Sequence, residues 1–279
     1  MKDSILSRTA AMMVMAVCTV YFLVPIWWLF VGATKSSDEF TGTAPLWFAD
    51  FRLIDNISDL FAYRDGVFLR WMVNSLAYTG GAAVLGTLLA AMCGYALAKY
   101  RFPGRELLFN VVLSGVLVPA TALALPLFLL FSKFEASNTF WAVFLPSLVN
   151  PFGVYLARIY AAASVPDDLL EAARIDGSGE VRTFFTVSTR LMFPALVTIF
   201  LFHFVAVWNN FLLPLIMLSD ERLFPVTLGL YQWNTQVNQL PELRGLVIVG
   251  SLLSITPLVV AFLLLQRFWR SGLGAGAVK

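Results

Sequence analysis

Few of the 279 residues could do chemistry in the catalytic sense. The chain has one histidine, His203, and two cysteines, Cys18 and Cys93. Both cysteines sit in apolar runs without metal-ligand spacing and read as small buried hydrophobes, not as a disulfide or a metal site. No Gly-x-x-x-x-Gly-Lys-Ser/Thr phosphate cradle occurs, and no carboxylate lies in an apolar stretch where it could pair with His203 as base or metal ligand. The pattern calls for no cofactor. The distinctive chemistry is electrostatic: Asp167, Asp168, Glu171, Arg174, Asp176, Glu180, Arg182 and Arg190 crowd one stretch of a chain that is only 13% charged. A charged residue at the centre of a membrane helix costs about 2.5 to 3.5 kcal/mol even on the lenient insertion scale. The stretch must therefore lie in water or against protein, where charge-assisted contact with another surface is the work open to it.

The elements that carry this segment are of another kind. The chain is 59% hydrophobic and 15% aromatic with a mean hydropathy of +0.79, against about 25% charged residues in a soluble domain. An all-α, polytopic membrane protein in contact with lipid follows. A formal charge of +2 without an arginine-rich tract argues against a nucleic-acid partner. Six stretches free of Asp, Glu, Lys and Arg are long enough to cross about 30 Å of hydrocarbon: Ala10 to Gly32, Asn74 to Ala98, Leu107 to Phe131, Thr139 to Ala157, Leu191 to Leu218 and Leu246 to Leu265.

An even number of spans puts both termini on one side, and the basic residues indicate which. Lys2, Arg8, Lys99, Arg101, Arg105, Arg158, Arg174, Arg182, Arg190, Arg267, Arg270 and Lys279 fall on one side with seven acids, a net of +5. The other side holds Lys35, Arg52, Arg64, Arg70, Lys133, Arg222 and Arg244 with ten acids, a net of −3. The first side, with the termini and Glu171, is predicted to be cytoplasmic. The first span resembles a signal peptide in its flanks, but its apolar core exceeds the 7 to 15 residues of such a segment, so a retained helix is expected. Eight prolines fall within the spans: Pro25, Pro119, Pro126, Pro146, Pro151, Pro194, Pro214 and Pro257. They can kink helices that a packed bundle re-satisfies. Between Lys35 and Arg70, Asp55-Asn56 and Arg64-Asp65-Gly66 are expected turns.

Within the charged segment, Ser164-Val165-Pro166-Asp167-Asp168 carries a capping hydroxyl, a first-turn proline and acids at the positive end of the helix dipole. Gly177 supplies a stop. Val165, Leu169, Ala172, Ala173 and Asp176 fall at helical spacing and predict one narrow apolar face. A second short helix is expected after Ser178, with Val181, Phe184 and Phe185 packing it on the bundle. From the residues alone, an ordinary amphipathic surface helix and a partner-docking helix both remain open.

Glu171-Ala172-Ala173 followed by Gly177 resembles the EAA loop of permease subunits of binding-protein-dependent ABC importers. Val165-Pro166 and Ile175-Asp176-Gly177 are similar to the sugar-importer branch, the maltose and glycerol-phosphate type. Further matches, in the family's order, are Asn74-Ser75-Leu76, Tyr95-Ala96-Leu97-Ala98 with Phe102-Pro103-Gly104-Arg105, Trp208-Asn209, and the tail Gly272-Leu273 with Gly274 to Lys279. One departure is Val187-Ser188-Thr189-Arg190, where the family usually carries Ile-x-Leu-Pro; the proline comes only at Pro194.

The resemblance implies a single transmembrane domain over residues 1–279 with six helices and a cytoplasmic coupling loop at about 164–190, in a bacterial inner membrane. It implies four kinds of partner: a second homologous permease, an ABC ATPase dimer that hydrolyses ATP, an extracytoplasmic solute-binding protein, and a sugar or sugar derivative as cargo. Glu171, Ala172, Ala173, Asp176 and Gly177 would then couple to the ATPase. His203, Trp208, Asn209 and Asn210 are candidates for the solute pathway, with interhelical hydrogen bonding as their alternative role. Tyr231, Gln232, Trp233 and Asn234 are candidates for receptor contact, with a membrane-edge aromatic belt as the alternative. A rival reading, an ion-coupled secondary transporter, would bury ionisable groups on its ion path, and the spans offer only His203.

Overall fold

The computed structural model describes residues 5–274, so Lys2 and the tail motif from Ala275 to Lys279 lie outside the described residues. Its helices are α1 (Ile5–Ala33), α2 (Glu39–Gly42), α3 (Leu53–Ala62), α4 (Val67–Lys99), α5 (Arg105–Ser114), α6 (Ala120–Lys133), α7 (Phe140–Phe144), α8 (Pro151–Ser164), α9 (Asp167–Ile175), α10 (Glu180–Thr183), α11 (Thr189–Trp208), α12 (Leu212–Met217), α13 (Val226–Gln236) and α14 (Leu243–Gly274). No strand occurs among the described residues. Among the described residues, five helical stretches are long and apolar enough to cross a membrane.

The third expected span, Leu107 to Phe131, is not one helix. It divides into α5 and α6 at Gly115–Pro119, where Gly115, Val116 and Leu117 close tight turns onto the carbonyls of Val112, Leu113 and Ser114. Pro119 has no N–H to continue a ladder and holds its predecessor out of helical conformation. The fifth span likewise stops at Trp208 and resumes as α12. Pro119, Pro146 and Pro151 stand at helix beginnings, whereas Pro25, Pro126, Pro194 and Pro257 lie inside helices.

The chain forms two compact units. One comprises residues up to Arg70 together with Gly229–Thr256. In it the end of α1 is anchored by buried Lys35, whose Nζ donates to Thr43 Oγ1 at 2.9 Å and to the Ala44 carbonyl at 2.6 Å. Asn56 Nδ2 donates to the carbonyls of Ala33 and Lys35. Asp55 and Asn56 are thus part of α3 rather than a turn, because the Asn56 amide serves the end of α1. The Arg64-Asp65-Gly66 turn forms as expected, with φ of 46°, 56° and 75°.

The other unit comprises Trp71–Leu228 and the residues from Pro257 onward. Its core lies between α4, α8 and α11, where Ala91, Tyr95, Ala157, Ala161, Met192 and Ile199 are buried together. Glycines on α4 permit the close approach. A Cβ at Gly94 would stand 2.6 Å from Ala157 Cβ and from the Arg158 nitrogen, and one at Gly81 would stand 2.7 Å from the Phe144 ring.

Candidate functional site

The charged segment folds as α9 between two ends of defined chemistry. Ser164 does not cap α9: its hydroxyl donates back to the Tyr160 carbonyl within α8, and extended Pro166 occupies the N-cap. Asp167 in the first turn instead meets Lys99 at the end of α4, Nζ to Oδ1 at 2.8 Å. That hydrogen bond holds the Asp167 carboxyl below its ordinary range. At the other end Gly177 takes φ 78°, and the Ser178 N–H reaches the Ala173 carbonyl at 2.9 Å, satisfying a carbonyl the helix leaves open.

Beyond that turn Glu180 receives Arg174 Nε at 2.7 Å and the Tyr100 hydroxyl at 2.8 Å. Arg174 first, and Tyr100 second, lower the Glu180 carboxyl; burial and the bond to Glu180 push the Tyr100 phenol upward. Nearby, Glu106 at the start of α5 pairs with Arg158 on α8 at 2.6 Å.

The face pattern differs from the expected one. Val165 and Leu170 point into the α4–α8–α11 core, 1% and 3% exposed. Leu169, Glu171, Ala172 and Asp176 are exposed, and Ile175 is 86% exposed. The set expected to share one apolar face is therefore split: Val165 turns inward together with Leu170, while Leu169, Ala172 and Asp176 stay outside. Of the three residues expected to pack the following stretch on the bundle, Phe184 is buried, whereas Val181 and Phe185 are exposed. A π-turn over Phe184–Ser188 carries the chain into α11 without a break, which accounts for the missing proline at Arg190: a continuous helix has no use for one there.

Of the solute-pathway candidates, His203 and Asn210 line one cavity of about 370 Å³ with Ser147, Asn150, Gly115 and Leu213. His203 Nε2 lies 2.9 Å from the Ser147 carbonyl, which can only accept, so that nitrogen is the donor. Trp208 is buried and stacked on Phe204 at 6.0 Å, outside this cavity, and Asn209 donates to the Val205 carbonyl in its own helix. The four residues are thus not one constellation. Among the receptor-contact candidates Tyr231, Gln232 and Asn234 are exposed on α13, but Trp233 is buried against Tyr63, centroids 5.3 Å apart. Trp233 packs a core instead of facing a partner.

Residues 82–271 match the family described as binding-protein-dependent transport system inner membrane component. The chain belongs to that family. It is 37% identical over 226 residues to the arabinooligosaccharides transport system permease protein AraQ of Halalkalibacterium halodurans, covering 81% of this chain and 79% of that protein. It is 32% identical over 273 residues to the AraQ protein of Bacillus subtilis, covering 98% and 96%. The diacetylchitobiose uptake system permease protein NgcG of Streptomyces coelicolor is 29% identical over 252 residues, 89% of this chain and 82% of that one. In structure, a chain of a bacterial ABC transporter involved in the import of the acidic polysaccharide alginate superposes with a TM-score of 0.83 at 20% identity, over 96% of this chain and 98% of the other; it shares the fold.

This inner membrane component is a multi-pass transport subunit, and ATP hydrolysis lies with partner chains. Several of its residues have structural roles that their place in the sequence does not announce. Asn150 caps α8, its Oδ1 accepting the Gly153 N–H at 2.8 Å, and Asn150-Pro151 is a legible helix-start pair. Asn74, Ser75 and Tyr78 capture the 222–226 backbone, a long-range pairing with no local signature. Ile175 is legible only as part of the Ile175-Asp176-Gly177 motif, because its exposure depends on the rotation of α9.

Proposed function

We propose that the chain forms one half of the translocation pathway of an ATP-driven sugar importer, and that α9 is the helix its ATPase grips. The observation that carries this reading is the division of α9 into an anchored inner face and a free outer one. Leu170 and Val165 fix the helix to the core, while Leu169, Ala172 and Ile175 stand exposed beside Glu171 and Asp176. An apolar ridge exposed in water on a charged helix is costly unless a partner covers it. Ala172 and Ala173 let that partner approach closely, Glu171 offers it a charge-assisted contact, and Gly177 supplies the turn that presents the ridge. Sugar cargo is supported by the relatives named for arabinooligosaccharide and diacetylchitobiose transport.

The cavity holding His203, Asn150 and Asn210 suits a neutral hydroxylated solute, since its polar lining offers amides, an imidazole and a hydroxyl but no charge. The assembly would include a second homologous permease, an ATPase dimer and an extracytoplasmic receptor met by the side bearing Tyr231, Gln232 and Asn234. Both termini and α9 would face the cytoplasm. Glu171→Ala and Gly177→Pro test the docking reading together: each should reduce co-purification of the ATPase and transport. Retention of both activities in both variants would refute it.

A further inference from the structure

The two ends of α4 within the larger unit are each tied to a different surface loop. At its C-terminal end Lys99, with a side chain only 7% exposed, holds Asp167 at the start of α9, and Tyr100 holds Glu180, which also holds Arg174 at the end of α9. Between these clamps Tyr95 packs on Phe184 and on Tyr100, at 5.1 and 5.8 Å between centroids. The docking helix is thereby bracketed at both ends by Lys99, the last residue of α4, and Tyr100, which follows it.

About six to eight turns of helix away, the same rod is tied again. Trp71 Nε1 donates to the Glu221 carbonyl, Asn74 Nδ2 to those of Arg222 and Phe224, and the Tyr78 hydroxyl to that of Leu223, all between 2.8 and 3.0 Å. Ser75 Oγ accepts the Val226 N–H at 2.7 Å. Four consecutive carbonyls and one amide of the 221–226 segment are thus held by side chains of α4, so this loop cannot shift relative to the helix without breaking several bonds. At about 1.5 Å per residue, Trp71 to Lys99 covers about 42 Å, enough to reach from one face of a bilayer to the other.

From this geometry we infer that α4 transmits motion of the docking helix directly to the 221–226 loop on the opposite face, with Lys99 and Tyr100 as positioning residues at one end and Asn74, Ser75 and Tyr78 at the other. The inference rests on α9 being the ATPase contact. The rod is continuous: α4 contains no proline and is one uninterrupted helix from Val67 to Lys99. Gly81 and Gly94 set it in close contact with Phe144 and with Ala157 and Arg158.

The test uses the transporter assembled with its ATPase, in a chain with Cys18 and Cys93 replaced by alanine and Arg222→Cys as the single thiol. The rate of labelling by a membrane-impermeant maleimide is compared between the nucleotide-free complex and the complex trapped with ATP and vanadate. The expected ratio is about 3-fold or more in either direction, the scale of one hydrogen bond made or lost. Lys99→Met combined with Tyr100→Phe should bring the ratio close to unity with the ATPase still bound, and Lys99→Arg in place of Lys99→Met should restore it.

A ratio unmoved by trapping in the parent, or a clamp variant that keeps the parent ratio, overturns the inference. If the clamp variant does not accumulate, Tyr78→Phe, which deletes only one hydroxyl, must lower the ratio, and an unchanged ratio there overturns it equally. Retention of the ATPase and of transport in both Glu171→Ala and Gly177→Pro would instead refute the docking reading.

Discussion

Glu171 and Ile175 are one turn apart on the outer face of α9, and neither has a role in holding the chain's own fold. Ile175 is 86% exposed, and Glu171 makes no ion pair among the described residues. Removing either should therefore leave accumulation and Tm unchanged while weakening retention of the ATPase by about 10-fold, the effect of one interface contact of moderate strength. Size-exclusion co-elution at graded ATPase concentrations measures this. Gly177 acts differently, since its φ of 78° is strained for any side chain: Gly177→Ala should cost about 1 kcal/mol in the order of the turn.

The carboxylates make a prediction of their own at this scale. Asp167 and Glu180 are both held below their ordinary ranges, by Lys99 and by Arg174 with Tyr100. A lowered folded-state value means the contact contributes fully above the unfolded value of about 4 and is lost as pH falls through the folded one. Hydrogen-exchange protection of the Asp176, Gly177 and Ser178 amides should be flat from about pH 8 to 5 once corrected for intrinsic rates, and fall below about pH 4. Asp167→Asn with Glu180→Gln should remove that acid step.

At the scale of elements, the site depends on where helices are allowed to touch and where they stop. Gly94 lets α4 lie on α8, and Gly86 lets it lie on His203, where a Cβ would be 2.6 Å from Nε2. Gly94→Leu meets backbone as well as side chain, so it should destabilise by about 1 to 3 kcal/mol or more and lower the Tm of the purified complex. Gly86→Ala should act more locally, displacing His203 from the Ser147 carbonyl and reducing transport more than accumulation. The interruptions at Gly115–Pro119, Leu148–Asn150 and Asn209–Phe211 line a common cavity. Broken helices of this kind are tolerated in membranes where the freed backbone faces protein or a wet space. Proline positions made breaks legible in the sequence, but not that three of them meet.

For the whole molecule, the testable property is sidedness. A single cysteine at Ile175 should resist a membrane-impermeant maleimide in intact cells and react after permeabilisation, whereas one at Gln232 should react in intact cells. The reverse result would invert the topology proposed from the basic residues. The apolar character of the spans and the all-α class were legible because hydrocarbon imposes length and composition on each segment independently of its neighbours.

What the sequence determined by itself was whatever one segment's own chemistry dictates: which stretches suit lipid, that 167–190 must lie in water or against protein, that Gly177 ends a helix, and the family to which the ordered motifs belong. Only the tertiary structure decided which side of a helix faces what. The fold turned Leu170 inward and Ile175 outward, buried Trp233 and Trp208, and brought Lys99 to Asp167 and Asn74 to the 222–224 carbonyls across scores of residues. Rotation of a helix about its axis and pairing between distant segments are set by the packing of all neighbours at once, and no local pattern encodes them.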